Sequence, residues 1–222
     1  MRTILLSLAL HFVASRGLGA PITVPPDLHA GDKYRLVFVT DMSDRGRYVP
    51  DYWKDIDAYN SAFANTGYQL DVAGTWRVVA SALDVDARDN TNTNPNVSPG
   101  FPIYRVDGVR VANDNADLWD GELLAPISVN EYGAHKSVPV WTGTRLDGTG
   151  DPGRTLGTKV IGYGTSDEIG YRWAWEGSYP ANSGVFSYYV MSDVLTVVPE
   201  PSTLALASAG ILAIALAIRK GS

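Results

Sequence analysis

The sequence predicts an α+β fold made of short antiparallel strands, one or two helices and long loops. Apolar and polar residues alternate over several short stretches, which is the pattern of half-buried strands. Few stretches have apolar residues at helical spacing. The 222 residues include 22 glycines, and clusters of turn-forming residues separate the apolar stretches, so long irregular loops are expected between the strands.

The first strand is predicted over residues 33–40, where aromatic and aliphatic residues alternate. A helix is predicted to follow, because apolar residues recur three or four positions apart as far as Gly67, the expected C-terminal stop. Asp51 is its expected N-cap. The apolar residues of this helix are Tyr52, Ile56, Tyr59 and Phe63. They should pack as one aromatic-rich face on the sheet.

The middle of the chain combines a second strand with a long polar stretch. The strand is predicted over residues 75–81, where Trp76, Val78 and Ala80 share one face. Residues 83–100 are rich in Asp, Asn, Pro and Gly, which favour turns. This polar stretch is therefore expected to be a loop outside the core.

The rest of the domain is predicted to consist of short elements joined by turns. They are a hairpin over residues 101–111 with an Asp107-Gly108 turn, a helical turn over residues 115–121, and strands over residues 138–144, 171–177 and 186–192, the last followed by residues 194–198. The helical turn should bury Leu118 and Trp119. Trp173 and Trp175 should point to the same side of their strand.

The N-terminus predicts export. A charged start, a short apolar core and a run of small residues make residues 1–20 a predicted secretory signal peptide. Ala20 is one position for cleavage. Because Pro21 follows Ala20 directly, cleavage after Gly19 or Ser15 is the alternative.

The C-terminal stretch carries the most specific signal in the sequence. Its parts are the segment Val198, Pro199, Glu200 and Pro201, an apolar run over residues 204–218, and the basic pair Arg219 and Lys220. Together they resemble the PEP-CTERM sorting tail of exported bacterial proteins. The resemblance implies that residues 199–222 form a sorting tail on which an exosortase, a membrane enzyme, acts.

The apolar run over residues 204–218 predicts a transmembrane helix. Fifteen residues give a helix of about 22 Å, shorter than the hydrocarbon core of about 30 Å, so flanking residues must contribute to the span. Arg219 and Lys220 predict a cytoplasmic end, which leaves the residues before Val198 outside. A transient inner-membrane anchor, followed by release to the cell surface or the medium, is expected. The alternative is a C-terminal core helix of a soluble domain.

Charge limits the partners of the domain between these ends, residues 21–198. The chain has a net charge of −6; the signal peptide removes two arginines, and the tail removes two basic residues and one glutamate, which leaves −9. An acidic domain is a poor partner for nucleic acid and acidic polymers, whereas neutral glycans and divalent cations remain open. Cysteine is absent and the three histidines are scattered, so neither disulfides nor a zinc site is expected.

A cluster of oxygen ligands within the polar stretch predicts a ligand or calcium loop. The candidate residues are Asp84, Asp86, Asp89 and Asn90. The cluster departs from the EF-hand pattern, because Arg88 takes a ligand position and the expected glycine is missing. The alternative is a structural loop in which Arg88 pairs with the neighbouring carboxylates.

The sequence around the tryptophans predicts that some of their rings are buried and that one is exposed. Trp76 and Trp141 lie in apolar strands and should be buried. Trp53 follows a polar stretch and is the expected exposed ring, which would stack on the apolar face of a sugar.

Six short motifs occur in a recognisable order. They run from Gly74 to Ser81, Pro102 to Tyr104, Ala116 to Gly121, Val140 to Gly143, Arg154 to Leu156 and Tyr188 to Val190. Their order resembles the endostatin-like branch of the C-type-lectin-like fold over roughly residues 32–198, which implies a lectin-like extracellular domain at residues 21–198. The disulfides of vertebrate members, the arginine-rich surface of endostatin and the calcium-binding sugar motifs of true C-type lectins have no counterpart here.

The sequence therefore predicts an exported binding module at the cell surface or in extracellular polysaccharide. No residue is singled out as catalytic and no cofactor is expected, because the serines and His135 lack the setting of a nucleophile and its base. The expected partners are an exosortase-type enzyme, the membrane and a glycan or exopolysaccharide. The alternative is an exported hydrolase of the same polymers, which requires two carboxylates in one groove about 5–10 Å apart.

Overall fold

The structure is a computed structural model that describes residues 21–45 and 55–198. Within these residues, no helix is both long and apolar enough to cross a membrane. The predicted signal peptide and the predicted span over residues 204–218 lie outside the described residues.

The described residues form a mixed α+β fold with many strands and few, mostly short helices. The strands are β1 (Lys33–Val39), β2 (Asp44–Arg45), β3 (Trp76–Val78), β4 (Ile103–Arg105), β5 (Arg110–Ala112), β6 (Pro139–Trp141), β7 (Val160–Thr165), β8 (Gly177–Pro180), β9 (Val185–Phe186), β10 (Tyr189–Ser192) and β11 (Leu195–Thr196). The helices are α1 (Ile56–Gly67), α2 (Ala87–Asn90) and α3 (Asn115–Leu118), with 3-10 turns at Tyr68–Leu70 and Tyr171–Trp173.

The main sheet is organised around β1. Its strand order is β3-β10-β1-β4-β5, with β11 paired to the start of β1. Strand β1 is antiparallel to β10 and β11 and parallel to β4. Leu36 and Phe38 pack into one core cluster, whereas Val37 and Val39 pack into another. Because both faces of β1 are buried, both sets of alternating residues are core residues.

The two ends of the domain meet at the start of β1. The Val197 N–H donates to the Asp32 carbonyl, and the Gly31 N–H donates to the Val197 carbonyl, both at 2.9 Å. Strand β1 has seven residues and is therefore roughly 20 Å long. Asp41, which follows it, lies at the opposite end from the point where the chain leaves towards the tail.

A second sheet, ordered β6-β7-β8, packs beside the main sheet. The Trp141 N–H of β6 donates to the Ser187 carbonyl at 2.9 Å, just before β10. Trp141 is fully buried, as is Trp76. The predicted burial of both rings is confirmed.

Helix α1 has the predicted apolar face but a different start. Ile56, Tyr59 and Phe63 are buried, as their spacing predicts. The helix begins at Ile56, and the Ala58 N–H donates to Asp55 Oδ1 at 3.0 Å. Asp55, rather than the predicted Asp51, is therefore in the capping position. Asp51 itself lies outside the described residues.

The hairpin β4–β5 and helix α3 form where the sequence predicts them. The Gly108 N–H donates to the Arg105 carbonyl at 2.9 Å, and Gly108 has a φ of +82°, which favours glycine in this turn. In α3, the Asp114 side chain accepts from the Asp117 N–H at 2.9 Å and caps the helix. Leu118 and Trp119 behind it are buried.

Two predictions of local structure are wrong. Tyr171–Trp173 form a 3-10 turn instead of a strand, because their backbone packs directly on β7. A Cβ at Gly164 of β7 would overlap the Trp173 carbonyl oxygen. In addition, the polar stretch at residues 83–100 contains α2, in which Ala87 and Asn90 are buried. Hydrogen bonds to distant residues, described below, allow this polar segment to enter the interior.

Candidate functional site

The four side chains of the predicted ligand or calcium loop occupy different environments. Asp84 and Asp89 are exposed, Asp86 is half-buried and Asn90 is buried. Asp86 Oδ1 accepts from the Gly150 N–H at 2.7 Å. Asp86 therefore ties this segment to a turn more than sixty residues away in sequence.

Asn90 connects three elements. Its Nδ2 donates to the Val78 carbonyl of β3 at 2.8 Å, and its Oδ1 accepts from Asn60 Nδ2 of α1 at 2.8 Å. The neighbouring Ala87 N–H donates to Ser81 Oγ at 2.8 Å. These bonds pair the buried Asn90 amide and the Ala87 N–H and fix α2 against the sheet.

The calcium hypothesis stays a prediction. No group of three or more His, Cys, Asp or Glu side chains is arranged to hold a metal ion in the described part of the chain. In the alternative, a structural loop, Arg88 pairs with nearby carboxylates, and Arg88 Nη2 lies 4.0 Å from Asp86 Oδ2.

A tight turn over residues 145–151 lies between two surface grooves. The Arg145 N–H donates to the Thr149 carbonyl at 2.8 Å, and the Gly148 N–H donates back to the Arg145 carbonyl at 3.0 Å. Gly148 has a φ of +79°, and a Cβ there would come within 2.8 Å of the Arg88 Cβ. Because the Arg88 N–H also donates to the Gly148 carbonyl at 3.2 Å, the turn and α2 are held together.

The first groove, on the α2 side of this turn, is termed the amide groove. It has a volume of about 270 Å³ and is lined by Arg88, Asp89, Asn92, Asn94, Val97 and Ser98. Asn94 Nδ2 donates to Asp89 Oδ1 at 2.6 Å. Val97 is 81% exposed. Hydrogen-bonding groups of several kinds thus line one small volume together with an apolar side chain, which suits a ligand with many hydroxyls and some C–H surface.

The second groove is termed the arginine groove. It has a volume of about 290 Å³ and is lined by Arg145, Leu146, Asp151, Arg154 and Trp175. Asp151 Oδ1 accepts from Arg145 Nε at 3.1 Å, and Asp151 Oδ2 accepts from Arg154 Nη1 at 3.4 Å. The Arg154 guanidinium carbon lies 5.4 Å from the centre of the Trp175 ring, which is cation–π distance. This groove combines an aromatic ring with two cations that share one carboxylate.

The third groove is termed the carboxylate groove. It has a volume of about 410 Å³ and is lined by Asp41, Met42, Ala62, Thr66, Gln69, Glu131 and Tyr132. Glu131 is 3% exposed, and its Oε2 accepts from the Asp41 N–H at 2.8 Å. Burial raises the pKa of Glu131 above its ordinary value, and the Asp41 charge acts in the same direction. This groove contains two carboxylates, lies at the end of β1 away from the tail, and contains the half-exposed ring of Tyr132.

The amide groove lies within the polar stretch at residues 83–100 and includes the predicted ligand residue Asp89, whereas sequence patterns do not single out the side chains of the other two grooves. Glu131 is hydrogen-bonded to Asp41, which lies 90 positions earlier in the sequence. Trp175 contacts Arg154, which lies 21 positions earlier. For the arginine groove, the only local signal is the spacing of Asp151 and Arg154, three residues apart.

Several predicted functional residues lie outside the described residues. They are the predicted stacking ring Trp53, the sorting residues Pro199, Glu200 and Pro201, and the basic residues Arg219 and Lys220. Val198 is described and is 77% exposed. Since Val197 is hydrogen-bonded at the domain edge, only Val198 separates the folded domain from the Pro-Glu-Pro triplet.

Comparison with known families identifies the C-terminal stretch. Residues 197–220 match the family model of the PEP-CTERM protein-sorting motif. The predicted sorting tail is therefore confirmed, and the motif indicates an exported protein that is sorted to the cell surface and processed by an exosortase. No curated protein matches the sequence.

Proposed function

We propose that this exported protein displays a lectin-like module that binds a glycan, in association with extracellular polysaccharide, and that it is not an enzyme. The observation that carries the proposal is the amide groove. Its carboxylate, amides, guanidinium and hydroxyl offer both hydrogen-bond donors and acceptors to sugar hydroxyls. The exposed Val97 offers an apolar contact to the C–H groups of the ring.

The connection of the domain to its tail supports a display function. Val197 is hydrogen-bonded to Gly31 and Asp32 at the start of β1. The Asp41 end of this strand therefore faces away from the tail. The segments between β1 and β10 are long and loop-rich, and loops on a rigid sheet are the usual position of binding residues. A lectin-like domain of this kind would be held near the membrane by one end only.

A glycan array tests the proposal. The full-length protein in mild detergent is applied with and without calcium, together with the double variant Asp89→Ala/Asn94→Ala. We expect binding to at least one class of glycan, and at least about a tenfold loss in the variant, because two hydrogen-bonding partners of the sugar are removed. Asp57→Ala, which removes an exposed carboxylate of α1 outside the groove, is the matched control and should bind like the wild type. Absence of binding to any glycan would refute the proposal.

The carboxylate groove favours a second candidate, an exported polysaccharide hydrolase. Asp41 and Glu131 lie together, and a buried carboxyl with a raised pKa is the usual general acid of a glycosidase. Release of reducing ends from an exopolysaccharide, abolished by both Glu131→Gln and Asp41→Asn, would establish this activity. Under the primary proposal, no reducing ends are released.

A further inference from the structure

Two guanidinium groups share one carboxylate in the arginine groove. Arg145 Nη2 lies 3.1 Å from Asp151 Oδ1, and Arg154 Nη1 lies 3.4 Å from Asp151 Oδ2. Four other arginines of the described residues each form an ion pair with a carboxylate that pairs with no second arginine, namely Arg77, Arg105, Arg110 and Arg172. The groove thus carries an excess positive charge on a domain whose net charge is −9.

The shared carboxylate is buried, whereas the two cations face solvent. The Asp151 side chain is 13% exposed, whereas the side chains of Arg145 and Arg154 are 55% and 49% exposed. No hydrogen bond within the described residues uses Arg145 Nη1 or Arg154 Nη2. Asp151 therefore orients both guanidinium groups and leaves N–H donors on each for a ligand.

Asp147 is the other carboxylate near Arg145, but its bonds lie within the turn. Its Oδ1 accepts from the Thr149 N–H at 3.0 Å and from the Thr149 hydroxyl at 2.6 Å. A carboxylate committed to these two donors shapes the turn. It does not occupy the outer N–H groups of Arg145 or Arg154.

The aromatic wall of the groove is fixed in place. A Cβ at Gly162 of β7 would overlap the six-membered part of the Trp175 ring, so the ring lies directly on the strand backbone. Arg154 lies over the ring as described above. A rigid ring beside oriented guanidinium groups costs little conformational entropy when a ligand binds.

We infer that the arginine groove binds an acidic saccharide, with the sugar carboxylate held by Arg145 and Arg154 and the sugar ring against the exposed part of Trp175 that neither β7 nor Arg154 covers. Guanidinium groups bind carboxylates through paired, charge-assisted hydrogen bonds. The volume of about 290 Å³ is at the lower limit of small-molecule sites and has room for one sugar unit. This inference rests on the proposed glycan-binding function and adds the chemical class of the glycan.

The charge of the domain narrows this class further. A densely charged polyanion is repelled by a net charge of −9. A chain in which acidic units alternate with neutral ones presents one carboxylate at a time to the groove. The amide groove, across the turn at residues 145–151, offers the amides of Asn92 and Asn94 and the Ser98 hydroxyl to an adjacent neutral unit of the same chain.

The test compares two disaccharides that differ at a single carbon. Cellobiouronic acid has a carboxylate where cellobiose has a hydroxymethyl group. Titration calorimetry with the full-length protein in mild detergent should show at least about tenfold tighter binding of the acid, which is the effect of one charge-assisted pair. The variant Arg145→Gln/Arg154→Gln should lose this preference. Arg172→Gln, which removes an exposed arginine that pairs with Glu176 outside the groove, should retain it.

Three other outcomes would overturn one or both proposals. Equal binding of the two disaccharides, with glycan-array binding intact, would overturn the acidic-saccharide inference and leave the proposed function standing. Displacement of the acid by an equal concentration of inorganic phosphate would show a general anion site and also overturn the inference. Failure of the disaccharides and of every glycan on the array would overturn both proposals.

Discussion

Trp141 is the residue through which the two sheets share a core. It is fully buried, its ring stacks on Phe186 with centroids 4.2 Å apart, and its Nε1 donates to the Asp44 carbonyl at 3.0 Å. One side chain therefore combines apolar burial, an aromatic contact and a hydrogen bond to the distant strand β2. In a domain without disulfides, such residues supply much of the stability.

Trp141→Ala should lower the free energy of unfolding by about 3–5 kcal/mol, because it removes a large buried ring and leaves a cavity. This loss is a large share of the roughly 5–15 kcal/mol expected for a domain. Chemical denaturation of residues 21–198, followed by fluorescence, measures it. Trp53→Ala is the comparison and should cost less than about 1 kcal/mol, because Trp53 is predicted to be an exposed ring. Small and equal losses in both variants would contradict the central role of Trp141.

Glu131 should make stability depend on pH. Its pKa in the folded protein is raised above its ordinary value of 4.5 by burial. The folded state therefore holds the proton more tightly than the unfolded state. The free energy of unfolding should fall as pH rises from about 4.5 through the raised pKa. Above that value, the buried charge opposes folding in full.

Glu131→Gln removes this charge and keeps an oxygen that can accept from the Asp41 N–H. We expect the variant to be at least as stable as the wild type at neutral pH, with the difference vanishing well below pH 4.5, where Glu131 is protonated in both states. Denaturation across this pH range measures it, with Asp84→Asn as the surface control. A variant that is less stable at neutral pH would mean that the hydrogen bond from the Asp41 N–H stabilises the ionised Glu131 carboxylate by more than burial destabilises it.

Among the elements, β7 shows how glycines allow neighbouring segments to pack directly on the backbone of a strand. Gly162 and Gly164 belong to this strand, and the space that side chains would take is filled by the Trp175 ring and the Trp173 backbone. This contact explains why a segment rich in tryptophan forms a 3-10 turn. The turn lies on the glycine face of β7, and the Trp173 ring enters the core.

Gly164→Ala should therefore destabilise the domain by about 1–3 kcal/mol or more, because the added methyl overlaps backbone that cannot rotate away. Gly170→Ala is the matched control. Gly170 has a φ of −77° and no atom within 4 Å of an added Cβ, so the change should stay within about 0.5 kcal/mol. Equal thermal stability of the two variants would show that the turn can move off the strand.

At the scale of the whole molecule, the segment before β1 and the segment after β11 are hydrogen-bonded to each other. Val197 is hydrogen-bonded to Gly31 and Asp32, and the matched sorting motif begins at the same residue. The processing enzyme must therefore act next to a folded surface. Because the last hydrogen-bonded residue lies before the Pro-Glu-Pro triplet, cleavage beyond the triplet leaves every strand of the described fold intact.

Replacement of Pro199, Glu200 and Pro201 by alanine should keep the protein in the membrane fraction, because the recognition triplet is lost while the predicted span remains. Immunoblots of membrane and medium fractions from the native host measure the distribution. Thr196→Ala, which changes an exposed residue just before the matched motif, should be processed like the wild type. Release of the triple variant at the wild-type level would contradict the function assigned to the tail.

Local sequence patterns were sufficient to predict β1, the apolar face of α1, the β4–β5 hairpin, α3 and the sorting tail. Alternation, helical spacing, a Pro-Glu-Pro triplet and an Asp-Gly turn are properties of neighbouring residues, so they are visible in the sequence alone. The buried Asn90, the capping by Asp55 and the 3-10 turn at Tyr171–Trp173 were not visible in this way. Asn90 is buried because Asn60 and Val78 satisfy its amide, and the arginine and carboxylate grooves exist because segments far apart in sequence meet. Which polar groups share one volume depends on contacts between distant residues, and these contacts are established only when the chain folds.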